Sequence, residues 1–158
     1  MPVTVGQNAP DFSLYSSVKE KFTLSNSIGN QNILLLFFPL AFTGVCTKEL
    51  CAIRDDISIF TNKHVDVIGI SVDSVFTLAK FKEEQKLNFT LLSDFNKEVS
   101  VLYESIYDSF TDMGMKGVSK RSAFLIDKKG VIQYAEVLES AGDIPDFEAI
   151  MQVISRLD

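Results

Sequence analysis

The sequence lacks tryptophan altogether and has one histidine and two cysteines among its 158 residues. One imidazole and two thiols are too few for a zinc site of the usual Cys/His kind. The thiols, Cys46 and Cys51, stand five positions apart, whereas a disulfide scaffold needs more cysteines at wider spacing. Basic clusters are missing too. None is longer than Lys120-Arg121 or Lys128-Lys129, and 15 Lys+Arg against 21 Asp+Glu leave a net charge of −6. That balance argues against nucleic-acid and acidic-membrane partners, both of which reward a basic surface. The longest apolar run, Ile33 to Phe38 continuing past Pro39 to Phe42, is half the roughly 20 residues needed to span a bilayer. Residues Met1 to Pro10 show no basic start followed by an apolar stretch. No signal peptide is therefore expected, and the expected compartment is cytoplasmic.

What is present is an ordinary globular composition, 46% hydrophobic and 23% charged, with thirteen phenylalanines to fill a core. The length suits one domain over residues 1–158. Apolar alternation at Phe12 and Leu14, then Phe22 and Leu24, predicts a small N-terminal hairpin around Ser16 to Glu20. Asn26 to Asn32 reads as loop. The continuous run Ile33 to Phe38 reads as a strand covered on both faces, ended by Pro39. From Thr43 to Asn62 the spacing of Leu50, Ile53, Ile57 and Phe60 predicts a helix.

Asp66 to Val72 is a second buried strand, and Asp73 or Ser74 can cap a helix running to Lys86. A brief strand at Thr90 to Leu92, a short helix from Asn96 to Tyr103 and a long loop from Ser105 to Lys120 follow. Ser122 to Ile126 and Val131 to Leu138 are strands joined by the turn Asp127-Lys128-Lys129-Gly130, and a helix over Ile144 to Leu157 closes the chain. Strand–helix alternation ending in a hairpin and a helix predicts an α/β fold: a mixed central sheet with helices on both faces and an N-terminal β-hairpin.

The chemistry centres on Cys46. With Thr43 as N-cap, Cys46 is the third helical residue, where backbone N–H groups lack partners and the helix dipole favours an anion. Such surroundings favour thiolate over thiol, and a thiolate attacks peroxide oxygen to give a sulfenic acid. A small buried hydrophobe is the blander reading of the same residue.

The segment Pro39-Leu40-Ala41-Phe42-Thr43-Gly44-Val45-Cys46 resembles the Pro-x-x-x-Thr-x-x-Cys signature of peroxiredoxins. Phe38 to Asp55 is most similar to the alkyl hydroperoxide reductase E type. Gly6-x-x-Ala9-Pro10-Asp11-Phe12 resembles that family's opening, Gly69 to Ser74 its second central strand and Arg121 to Asp127 the strand that carries its active-site arginine, in the same order. The resemblance implies a thioredoxin-like fold and a thiol-dependent peroxidase. It also implies residue roles. Cys46 is the peroxidatic nucleophile, Thr43 hydrogen-bonds thiolate and peroxide, Arg121 stabilises charge as the O–O bond breaks, and Pro39 shields the sulfur. Glu49, one turn after Cys46, either pairs with Arg121 as a supporting residue or lies on the surface.

Cys51 departs from the alkyl hydroperoxide reductase E pattern. It stands where the bacterioferritin comigratory protein (PrxQ) type has its resolving cysteine. In an intact helix five residues give about 7.5 Å of rise and roughly 140° of rotation, hence a Cα separation near 8.6 Å. A disulfide reaches across only about 7 Å. Bonding therefore requires the first helical turns to unwind, which helix ends do at least cost.

The implied cycle uses hydrogen peroxide or an organic hydroperoxide as substrate and needs no cofactor. A thioredoxin- or glutaredoxin-like protein serves as reductant, and the enzyme is a monomer or homodimer. Two alternatives stay open: a one-cysteine peroxiredoxin with Cys51 inert, and a peroxide sensor or relay.

Overall fold

The computed structural model describes residues 3–157; the first two residues of the N-terminal stretch and the last residue of the chain lie outside it. The continuous apolar run forms β3 (Asn32–Phe37), every residue of which is buried. Because successive side chains point to opposite faces, Leu34, Leu36 and Phe38 enter one core cluster while Ile33, Leu35 and Phe37 enter another. Each such side chain contributes about 1.5–3 kcal/mol by leaving water. One uninterrupted run thus nucleates both layers, which is why the sequence shows no alternation here.

The sheet is mixed and has seven strands. β1 (Ser13–Ser16) and β2 (Lys21–Thr23) form the N-terminal hairpin. The remaining strands are β4 (Val65–Ser71), β5 (Thr90–Ser93), β6 (Ser122–Ile126) and β7 (Ile132–Val137), and the order across the sheet is β2-β1-β5-β4-β3-β6-β7. β4 lies parallel to β3 and to β5; the other pairings are antiparallel. Against the face of Leu34, Leu36 and Phe38 pack α2 (Gly44–Asp55), α3 (Ile57–Thr61), α4 (Val75–Gln85) and α6 (Phe147–Ile154). The opposite face is covered by Leu24 of α1 (Leu24–Ser27) and Val99 of α5 (Glu98–Leu102), with Tyr103 and Phe12. Gly69 lets α4's side of β4 stay dense: a Cβ there would lie 2.8 Å from Leu91 Cδ2 and 3.3 Å from Phe38.

Three local details differ from the sequence reading. The helix expected from Thr43 to Asn62 is two helices, because the backbone leaves helical geometry at Asp56 (φ −114°, ψ 23°). The apolar spacing of Ile53, Ile57 and Phe60 continues across that break, so periodicity does not register it. The segment read as strand and loop around Leu24 to Asn32 contains the one-turn α1, which buries Leu24 alone. The last helix begins at Phe147 rather than Ile144, capped by the Asp146 carboxylate accepting from the Ala149 N–H.

Two registers position the site. β3 and β6 are antiparallel with Phe37 opposite Ser122. The end of β3 therefore faces the start of β6, and Arg121, just before β6, comes to the loop that leads from β3 into α2. β3 and β4 run parallel with Phe37 opposite Ile70, so Ser71 and Asp73 emerge at the same end.

Candidate active site

Thr43 occupies the N-cap position of α2 in extended conformation, and Cys46 is the third residue of the helix. The first intrahelical bond, from Thr47 N–H to the Thr43 carbonyl, measures 2.9 Å. The Thr43 hydroxyl makes no capping bond; it donates instead to the Leu40 carbonyl at 2.8 Å. Its hydrogen is thereby committed inside the loop, and its lone pairs are left as acceptors.

The loop before α2 is held from outside. Asp73 Oδ2 accepts from the Ala41 N–H at 2.8 Å and from the Ser71 hydroxyl at 2.7 Å. Phe42 adopts φ 70°, a left-handed conformation unfavourable for a bulky residue. Its ring rests 5.1 Å from that of Phe81 in α4 while it remains 48% exposed. Pro39 is buried. Strain at Phe42 is thus balanced by a ring contact and by the Asp73 clamp, and the chain is turned so that Cys46 faces inward.

Cys46 is 1% exposed. Arg121 Nη2 donates to its Sγ at 3.2 Å and to the Ala141 carbonyl at 3.1 Å, and Nη1 donates to Glu49 Oε1 at 2.7 Å. The guanidinium is itself 1% exposed. Burial opposes its charge, but the charges of Glu49 and Cys46 and their hydrogen bonds outweigh that, so its pKa is raised. Glu49 follows Cys46 by one helical turn and is 2% exposed. Burial pushes its carboxyl from 4.5 up to about 7, although Arg121 pulls the other way by charge and by hydrogen bond. The pairing is through one oxygen only: among the described residues, Glu49 Oε2 and Arg121 Nε are buried without a hydrogen-bond partner.

Cys51 lies on another side of α2. It is partly exposed, and its Sγ donates to Gln85 Oε1 at the end of α4, 3.4 Å away. Both cysteines are free thiols.

The structure thus brings together Cys46, Arg121 and Glu49, with Thr43 and Pro39 in the adjoining loop, and keeps Cys51 apart. Three further contributors escaped the sequence reading. Asp73 was read there only as a possible helix cap, but Ser74 caps α4 by accepting from the Thr77 N–H and frees Asp73 to hold the loop. The Ala141 carbonyl offers no side-chain signal at all. Tyr107, in the long loop, donates to the Glu139 carbonyl at 3.1 Å. Its pKa is raised chiefly by burial, and Arg121, Lys120, Glu139 and Cys46 all act on it electrostatically, which puts it at the rim of the site.

The AhpC/TSA family model matches residues 5–135. Alkyl hydroperoxide reductase E of Mycobacterium tuberculosis is 35% identical over 144 residues, covering 91% of this chain and 91% of that protein. The chloroplastic 2-Cys peroxiredoxin of Spinacia oleracea is 36% identical over 143 residues, 84% of this chain and 52% of the longer relative. Among solved structures, the peroxidoxin BcpB of Mycobacterium tuberculosis superposes with a TM-score of 0.86 at 26% identity, covering 99% of each chain. The reduced 2-Cys peroxiredoxin of Plasmodium vivax gives 0.84 at 30% identity, covering 98% of this chain and 81% of that one. On a family match over most of its length, with relatives and folds of this likeness, the chain belongs to the AhpC/TSA family and is a thioredoxin-fold peroxiredoxin, a thiol-dependent peroxidase.

Proposed function

We propose that Cys46 is the peroxidatic nucleophile for hydrogen peroxide and organic hydroperoxides, and that Cys51 resolves its sulfenic acid. The observation that carries the first half is the 3.2 Å contact between Arg121 Nη2 and Cys46 Sγ, with the guanidinium fixed by Glu49 and Ala141. A preorganised cation in a dry site acts where charge develops.

In the first step the thiolate attacks the terminal oxygen of the hydroperoxide. The S–O bond forms as the O–O bond breaks, the sulfur is oxidised to sulfenic acid, and the departing alkoxide or hydroxide takes a proton to become alcohol or water. Thr43, whose hydroxyl hydrogen is committed to Leu40, accepts the hydrogen bond of the peroxide O–H. Arg121 faces the sulfur and the developing negative charge. Pro39 limits water at the sulfur. Glu49 keeps Arg121 in place.

In the second step Cys51 attacks the sulfenic sulfur, a disulfide forms and water leaves. A dithiol protein of the thioredoxin or glutaredoxin kind then reduces the disulfide by exchange, becoming oxidised itself. We place this cycle in the cytoplasm, in one domain acting as a monomer or homodimer. Among the described residues no helix is long and apolar enough to cross a membrane.

One observation favours a second reading. The Cys51 thiol is engaged by Gln85 of α4, which suits a one-cysteine enzyme whose sulfenic acid is reduced directly by an external thiol. Turnover of hydroperoxide by wild type and Cys51→Ser with thioredoxin or glutaredoxin as reductant separates the two. Loss of turnover with a dithiol reductant in the variant supports resolution by Cys51; full turnover in the variant supports the one-cysteine cycle. Absence of any Cys46-dependent turnover in wild type would overturn both.

A further inference from the structure

The two cysteines lie in one unbroken helix, and the separation of their Cα atoms depends only on the backbone torsions between them. The segment Cys46 to Cys51 must therefore change conformation before a disulfide forms. Within it, Thr47 is partly buried and Lys48 is exposed. Glu49 is the one charged side chain that is buried, and it is tied to Arg121, a residue outside the helix. That tie is incomplete: one carboxylate oxygen and the guanidinium Nε have no partner among the described residues. A buried carboxylate paired through one oxygen is under-solvated, and it gains by reaching water.

We propose that Glu49 is a positioning residue for the resolving step: protonated, it holds the Cys46–Cys51 turn closed against Arg121, and ionised, it favours release of that turn so that the two sulfurs can meet. The inference rests on the reading of Cys51 as the resolving cysteine. It goes beyond that reading by giving the resolving step a pH gate of its own.

The direction follows from linkage. Burial raises the carboxyl of the closed state to about 7 from an ordinary value of 4.5, and the released turn returns Glu49 to solvent. The contribution of Glu49 to the closed state is then complete below about 4.5 and is lost as the pH rises through about 7. Among the described residues, Arg121 is the charge that acts on Glu49. Cys46 precedes Glu49 on the same helix, and Glu49 lines a groove beside α2 together with Lys48, Asp56, Gly142 of the last loop and Phe147 and Met151 of α6. Closer to Arg121, Lys120 and Glu139 pair with each other.

The test is a rapid-mixing measurement of disulfide formation after one equivalent of hydrogen peroxide, across pH 5.5 to 8, in wild type and Glu49→Gln. The amide preserves an acceptor for Arg121 and removes the titration. Every other pH-dependent contribution is common to both proteins, so the quantity read is the ratio of their rates. It should rise by up to about tenfold per pH unit toward 7 and level off above. A ratio that stays flat, while wild type forms its disulfide, overturns the proposal.

A second readout needs no disulfide. Hydrogen exchange over residues 44–51 in Cys51→Ser, corrected for the intrinsic pH dependence, should show protection falling as pH rises toward 7 and levelling off above; constant protection overturns the latch as well. If wild type forms no intramolecular disulfide but exchange still loosens with pH, the resolving role of Cys51 fails while the latch stands.

Discussion

Cys46 and Cys51 share one helix and almost one sequence neighbourhood, yet their surroundings differ in kind. Cys46 is shut away beside a buried guanidinium supplied from 75 residues further along the chain. Cys51 is partly open and touches a neutral amide on α4. The helix itself does not make that difference. It comes from the register of β3 against β6, which delivers Arg121 to one side of α2, and from the packing of α4, which delivers Gln85 to the other. The surroundings of each thiol are thus set by the sheet and helices that frame α2 more than by the residues beside it in sequence.

Five substitutions sharpen or break that contrast. Cys46→Ser should abolish peroxide consumption, whereas Cys51→Ser should keep the first oxidation and accumulate sulfenic acid. Stopped-flow kinetics with a sulfenic-acid trap read both; equal losses would erase the distinction between the two thiols. Arg121→Gln should slow the first oxidation by about 10²–10³-fold, as expected for loss of a preorganised donor. It should also destabilise the fold by about 1–3 kcal/mol, because Glu49 and the Ala141 carbonyl lose a charged donor in a buried site; denaturant unfolding measures that cost.

Asp73→Ala removes the acceptor shared by Ala41 and Ser71. A drop of about 1–3 kcal/mol in stability is expected from the unsatisfied groups, with slower oxidation of Cys46 as the loop loosens. Rates unchanged from wild type would show that the loop holds itself. The smallest effect belongs to Gln85→Ala. Loss of a weak contact at a partly exposed thiol should leave stability within about 1 kcal/mol and leave the first oxidation untouched, while freeing Cys51 for slightly faster disulfide formation.

Much of this arrangement was legible in the sequence, for stated physical reasons. The run Ile33 to Phe38 reads as a strand because only a doubly covered strand tolerates six apolar residues in succession. The Pro39, Thr43, Cys46 and Arg121 pattern reads as a family resemblance. The Glu49–Arg121 pair was open as one of two alternatives, since a residue one turn from Cys46 points inward or outward according to a helix rotation that sequence spacing fixes only loosely. What stayed hidden was set by contacts between distant segments. The break at Asp56 falls where the apolar spacing runs on undisturbed. The use of Asp73 depends on Ser74 taking the cap. The Ala141 carbonyl becomes a ligand of Arg121 only once the loop after β7 folds back.

The most direct test of the division of labour between the thiols is intact-mass analysis. Wild type, Cys46→Ser and Cys51→Ser each receive one equivalent of hydrogen peroxide with a sulfenic-acid trap present. The expected result is that wild type loses the mass of two hydrogens, Cys51→Ser carries the trap, and Cys46→Ser is unchanged. Trapping of wild type and Cys51→Ser alike would make Cys51 a bystander, and trapping at Cys51 with Cys46 unmodified would place the reactive thiol on the wrong side of the helix.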